Sequence, residues 1–176
     1  MRLRPRSPRF PRSLRPKLRF LLWLGLCAAL LAGRPAAAQR AIFLVRHAEK
    51  VDESRDPELS PAGQARAARL AAHLERAGLS AVYVTEYKRT QKTAAPLASA
   101  LKLTPQIVPA QDRKALLAKL REHPDAVALV VGHSDTLPLL LRELGVAAPP
   151  AITDYGDLLV LVPSPSGPPT LLRLRF

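Results

Sequence analysis

Two stretches of this chain, AIFLV at 41–45 and AVALVVG at 126–132, are apolar or small throughout, not at every second position. A strand with one wet face alternates. A short continuous run is expected where a strand is covered on both faces, as in the middle of a mostly parallel sheet. Helical patterns lie between these runs. SPAGQARAARLAAHLERAG, 60–78, offers Ser60 as a cap, Pro61 in the first turn, Leu70 and Leu74 on one face and Gly78 as a stop. A second helix is expected across 89–101 and an amphipathic third over 112–123, with Asp112 as its cap. A fourth, over 135–144, stops at Gly145 ahead of Pro149 and Pro150. AVYV at 81–84, QIV at 106–108 and two late strands near 157–162 and 170–175 complete the pattern. The alternation predicts a three-layer α/β/α sandwich with a mostly parallel central sheet and one antiparallel strand near the C-terminus.

The first forty residues read differently. Eight basic residues and no acid lie between Met1 and Arg19, followed by the apolar run FLLWLGLCAALLA at 20–32 and then GRPAAAQ. Ala36 and Ala38 have A-x-A spacing, so 1–38 is expected to be a secretory signal peptide cut after Ala38. The apolar run has 13 residues, short of the roughly 20 of a spanning helix, which argues against a lasting membrane anchor. No Arg-Arg pair points to twin-arginine export, and Leu26 is too bulky for lipid modification at Cys27. Sec export to a periplasm or the exterior follows, leaving a single domain over 39–176.

This division changes the meaning of the charge. The formal net charge is +13, but nine of the 27 basic residues lie at or before Arg34. Residues 39–176 carry 18 Lys and Arg against 14 Asp and Glu, an ordinary balance that gives no reason to expect a nucleic-acid partner. They hold no cysteine, so stability must come from a core and not from disulfides.

Both apolar runs end on a histidine. VRH places Arg46 and His47 at the end of the first, and VVGH places His133 at the end of the second. Arg89 opens the helix that follows the strand at 81–84. Ligands of parallel α/β sheets sit beyond the carboxyl ends of the strands, so two arginines and two histidines from three strand ends can converge there. Guanidinium groups bind phosphate oxygens through paired donors. A neutral imidazole can attack phosphorus, and a second, protonated one can stabilise the same oxygens. The scheme calls for no metal, and no metal-ligand spacing occurs among the four histidines.

LVRHAEK, LSPAGQARAARLA, YVTEYKRTQKTAAPLA and VVGHSDTLPLLL, in that order, resemble the histidine phosphatase superfamily, in its phosphoglycerate-mutase-like branch. The resemblance runs from about 41 to 162. It implies that His47 is the phosphorylated nucleophile, that Arg46, Arg89 and His133 complete the phosphate pocket, and that no cofactor is needed. Ala48 stands where the family's tripeptide has glycine, which suggests ordinary backbone dihedrals there. The acid that protonates the leaving oxygen stays open between Asp112, Glu86 and Asp135. Asp112 and Asp135 also read as helix caps, and Glu86 as an ion-pair partner of Arg89. Tyr155 and Asp157 could reach the site from the following connection, or could serve packing and a turn. Glu49 and Lys50 could line the mouth, whereas His73, His123, Gln91 and Thr93 read as structural or surface positions.

The expected activity is hydrolysis of a small phosphomonoester through phospho-His47. A mutase would need longer insertions between the motifs. A phosphohistidine-protein phosphatase and an enzyme of envelope sugar phosphates fit the same residues. A binding module that grips an anion without turnover is the alternative of a different class. The polar loops 51–59 and 145–157 carry no decodable recognition motif.

Overall fold

The computed structural model describes residues 41–176. The expected signal segment, with its apolar run and Cys27, lies outside the described residues. In chain order the elements are β1 (Ala41–Arg46), α1 (Pro61–Leu74), β2 (Ala81–Val84), α2 (Lys88–Leu101), β3 (Gln106–Ile107), α3 (Arg113–Glu122), β4 (Val127–Gly132), α4 (Thr136–Glu143), β5 (Asp157–Val162) and β6 (Thr170–Arg175). The strands form one sheet in the order β3-β2-β4-β1-β5-β6. β3, β2, β4 and β1 are mutually parallel, and β5 runs antiparallel to both β1 and β6. β5 is therefore the expected antiparallel strand.

The continuous apolar runs take the centre because both of their faces are covered. Ile42, Leu44, Ala128 and Val130 pack with Leu117 and Leu120 of α3 and Leu137, Leu140 and Leu141 of α4. The alternate residues Val45, Leu129 and Val131 pack with Leu70 and Leu74 of α1 and Ala94 and Leu97 of α2. Each fully buried leucine contributes about 1.5–3 kcal/mol by its removal from water. This is the three-layer arrangement the sequence predicts.

Local chemistry sets the helix ends. Ser60 caps α1 by accepting from the Gly63 N–H, with Pro61 in the first turn. The helix ends at Leu74, short of the expected Gly78, which sits in the following turn with φ +73°. Asp112 caps α3 through the Ala115 N–H, and Asp135 caps α4 through the Thr136 N–H. α2 has no cap from Tyr87; Asp56 of the 51–59 loop accepts from the Lys88 N–H at 2.8 Å instead. Glu58 of the same loop pairs with Lys92 at 2.6 Å, so the loop is held against α2.

Thr93 is a correction. It was expected on the helix surface, yet it faces inward with Thr90, Ala94 and Leu97 and is 1% exposed. The short backbone approach at Gly63 is equally specific: a Cβ there would overlap the Glu49 carbonyl oxygen. Alanine favours a helix over glycine by about 1 kcal/mol. Overlap with a backbone atom is expected to outweigh that gain, so Gly63→Ala should destabilise the domain by about 1–3 kcal/mol. Urea unfolding would show it as a lower midpoint at unchanged slope, and a stabilised variant would contradict the close packing.

Candidate active site

Register brings the site together. Arg46 of β1 stands opposite Gly132 of β4, and the His47 N–H continues the ladder to the Gly132 carbonyl at 2.9 Å. His47 and His133 thus leave neighbouring strands at the same height, with ring centroids 5.4 Å apart. β2 lies on the other side of β4, and the chain leaving it reaches Thr85 and then Arg89 in the first turn of α2. β5 is antiparallel to β1, so the segment entering it arrives at this end as well. Val45 pairs with Leu158, which places 153–156 beside Arg46.

A single pocket is lined by His47, Arg89 and His133, together with Lys50, Tyr87 and Asp135. Arg46 flanks His47 and turns toward the last connection: its Nη1 donates to the Thr153 carbonyl at 2.7 Å and its Nη2 to the Tyr155 hydroxyl at 3.3 Å. Its Nε is buried and, among the described residues, has no partner. A buried donor of this kind ordinarily has an acceptor.

The His47 imidazole is 5% exposed, and its Nδ1 lies 2.8 Å from the Ala48 carbonyl. A carbonyl can only accept, so Nδ1 carries the hydrogen and Nε2 keeps its lone pair. Burial, and then the charges of His133, Arg89 and Arg46, push the imidazole down to about 4 against the opposing pull of the Ala48 carbonyl. At neutral pH it is uncharged, as a nitrogen nucleophile must be.

Ala48 fixes that geometry from behind. Its N–H donates to Thr93 Oγ1 at 2.9 Å, and the Thr93 hydroxyl donates to the Arg89 carbonyl at 2.7 Å. Lys102 is the one described non-glycine residue with positive φ, so alanine is unstrained at 48, as expected. Its methyl group packs with Leu59 and Ala67.

His133 is oriented by hydroxyls. Its Nε2 lies 3.1 Å from Thr85 Oγ1, which lies 2.9 Å from Thr90 Oγ1. Thr90 passes its hydrogen to the carbonyls of Thr85 or Tyr87. Arg89 Nη2 approaches Nδ1 at 3.5 Å and its Nη1 donates to the Arg55 carbonyl at 3.2 Å. Burial and the Arg89 charge push His133 down to about 4, with Asp135 and Glu86 opposing. The protonated imidazole expected from the sequence therefore needs the added negative charge of a bound anion.

The candidate acids separate clearly. Asp112 is a cap, and Glu86 accepts from the Ala110 N–H at 2.8 Å and makes no ion pair with Arg89. Asp135 lines the pocket while capping α4. Glu49 is held bidentately by Arg66, and the buried Asp157 by Arg173, so neither serves the pocket. Tyr155 does reach the site, its ring 5.9 Å from that of His47. Sequence reasoning passed over Thr85, Thr90 and Tyr87. The threonine spacing at 85, 90 and 93 around Arg89 was the available signal. No group of three or more metal-ligating side chains occurs among the described residues.

Residues 42–116 match the model of the histidine phosphatase superfamily (branch 1). Among solved structures, the protein histidine phosphatase SixA complexed with tungstate superimposes with a TM-score of 0.64 at 22% identity, covering 77% of this chain and 96% of that one. A protein assigned as an α-ribazole-5′-P phosphatase from Escherichia coli K-12 gives 0.64 at 20% identity, over 78% and 96%. One assigned as phosphohistidine phosphatase SixA from Nakamurella multipartitia gives 0.60 at 23%, over 81% and 98%. At these identities the likeness is one of fold. No curated protein sequence matches.

Two measurements test this geometry. Thr93→Val keeps shape but strands the buried Ala48 N–H, a loss of about 1–3 kcal/mol; Thr93→Ser should recover most of it in urea unfolding. Both pocket histidines have folded values near 4, below the unfolded value of about 6.5. The unfolded chain therefore binds more protons between these limits. Stability should hold above pH 6.5 and fall as the pH drops from 6.5 toward 4. A flat urea midpoint across that window would contradict the two burials.

Proposed function

We propose that this chain, whose residues 42–116 match the model of the histidine phosphatase superfamily (branch 1), is an exported phosphatase that hydrolyses a small phosphomonoester through a phosphohistidine on His47, without a metal. The observation that carries the reading is the His47 ring itself: neutral, with Nδ1 tied to the Ala48 carbonyl at 2.8 Å and Nε2 free. In the first step Nε2 bonds to phosphorus as the bond to the leaving oxygen breaks. Water then attacks phosphorus, and His47 leaves with its electron pair restored.

Arg46 and Arg89 offer donors and charge to the non-bridging oxygens, and such fixed positive charge stabilises a phosphoryl group in transit without covalent help. His133 adds an imidazole that gains a proton as the anion's charge arrives. Of the three candidate acids, only Asp135 lines the pocket, so the role of proton donor to the leaving oxygen falls to it if a side chain fills that role. Its cap bond to the Thr136 N–H, 2.9 Å, holds it at the pocket wall.

Export rests on the sequence of 1–38. Nothing about the pocket calls for a nucleic-acid partner. An anion-binding module remains the reading to exclude. A phosphohistidine-protein substrate is favoured by one observation: Glu86 and Asp112 are spent on backbone amides. An imidazole leaving group can take its proton elsewhere than at the P–N bond and leans less on an acid than an alkoxide does.

The test uses the full chain, an aryl phosphate with a good leaving group, and a chelator. Turnover should survive chelation. His47→Ala should lose it by about a thousandfold or more, and Arg89→Ala by about 100-fold or more in kcat/KM. Acid quench should trap an acid-labile phosphoenzyme in the wild type alone. Phosphate binding without turnover would establish the module instead, and an active His47→Ala would refute the site.

A further inference from the structure

Two tyrosines build the same arrangement twice. The Arg46 guanidinium lies over the Tyr155 ring at 4.1 Å, and that ring meets His47 at 5.9 Å. The Arg89 guanidinium lies over the Tyr87 ring, again at 4.1 Å, and that ring meets His133 edge-on at 5.5 Å. One tyrosine comes from the turn that opens α2 and the other from the connection into β5. One pair therefore stands beside His47 and the other beside His133.

Among the described residues neither arginine is paired with a carboxylate: every ion pair of an arginine to one involves Arg66, Arg76, Arg113, Arg173 or Arg175. A carboxylate beside Arg46 or Arg89 would neutralise the charge and occupy the fork of N–H donors that an anion needs. An aromatic face attracts the cation from above its plane and leaves the in-plane donors pointing outward. Arg46 spends Nη1 on the Thr153 carbonyl and Nη2 on the Tyr155 hydroxyl and keeps its buried Nε unpartnered, and Arg89 spends its donors only on the Arg55 carbonyl at 3.2 Å and a long contact to His133 at 3.5 Å.

We propose that Tyr87 and Tyr155 are positioning residues for anion capture, each holding one phosphate-binding guanidinium by its face and bracing one imidazole. The assignment rests on the reading that Arg46 and Arg89 bind the phosphoryl group. The two tyrosines differ in one respect. The Tyr155 hydroxyl takes a bond from Arg46 Nη2 at 3.3 Å, whereas Tyr87 acts through its ring. Phenylalanine therefore preserves everything at 87 and the stacking alone at 155.

The experiment compares Tyr87→Phe, Tyr87→Leu, Tyr155→Phe and Tyr155→Leu in the full chain. It measures inorganic phosphate binding by calorimetry, KM and kcat on the aryl phosphate, and Tm. Each leucine variant should weaken phosphate binding and raise KM by about 3- to 30-fold, with kcat changed less and Tm within a few degrees. Tyr87→Phe should stay within about twofold of wild type, and Tyr155→Phe should fall between wild type and leucine. Methionine replaces leucine wherever the latter fails to fold. Leucine variants that bind phosphate as wild type does, or phenylalanine and leucine variants that fall together, would overturn the assignment. A wild type that shows the binding series but hydrolyses no ester would sink the catalytic reading and leave the tyrosine assignment standing. Turnover without the series would do the reverse, and a wild type that binds no phosphate would end both.

Discussion

The hydrogen bond from the His47 N–H to the Gly132 carbonyl, 2.9 Å long, carries the β1–β4 ladder one residue past the strands and into the site. Because the two strands are parallel and in register from Ala41 opposite Val127 to Arg46 opposite Gly132, their histidines emerge side by side. A slip of one residue would send His47 to the other face of the sheet. The apolar residues that prevent such a slip are those that fill the two cores, so the site and the core are specified by the same alternation.

Around that bond the fold assembles charges of one sign with few counterions. Arg46, Arg89 and two buried imidazoles share the carboxyl ends of β1, β2 and β4, while the ion pairs of Glu49, Glu58 and Asp157 are turned to other arginines and lysines. Two consequences follow. The imidazoles stay neutral because burial and the guanidinium charges both disfavour a proton. The guanidiniums need anchors that do not consume their charge, and here these are backbone carbonyls and tyrosine faces. The arrangement lacks negative charge, and the proposed phosphoryl group would supply it to a site this poor in acids.

Much of this was legible beforehand, for reasons that differ by residue. The central strands announced themselves because burial on both faces removes alternation. His47 and His133 stood out because each closes such a strand. Arg89 followed from its place at the start of a helix after a third. Thr85 and Thr90 escaped notice, and Thr93 was placed on the helix surface, because a hydroxyl is compatible with both a surface and a saturated buried network. Only the partners, the Ala48 N–H for Thr93 and His133 for Thr85, distinguish the two. Glu86 was misjudged for the same reason: its neighbour in sequence is Arg89, but its neighbour in space is the Ala110 N–H.

The sequence by itself determined the layers, the strand ends and the identity of the four groups gathered at them, since these depend on local pattern and on where a buried run stops. Only the tertiary structure decided which nitrogen of His47 is free, that His133 rests uncharged, and that Tyr87 and Tyr155 carry the arginines. Those properties depend on contacts between segments far apart in the chain. Arg46 and Tyr155 are 109 residues apart, and they meet because β5 enters the sheet antiparallel to β1. No local pattern records which loop an antiparallel strand will carry back to the mouth of the site.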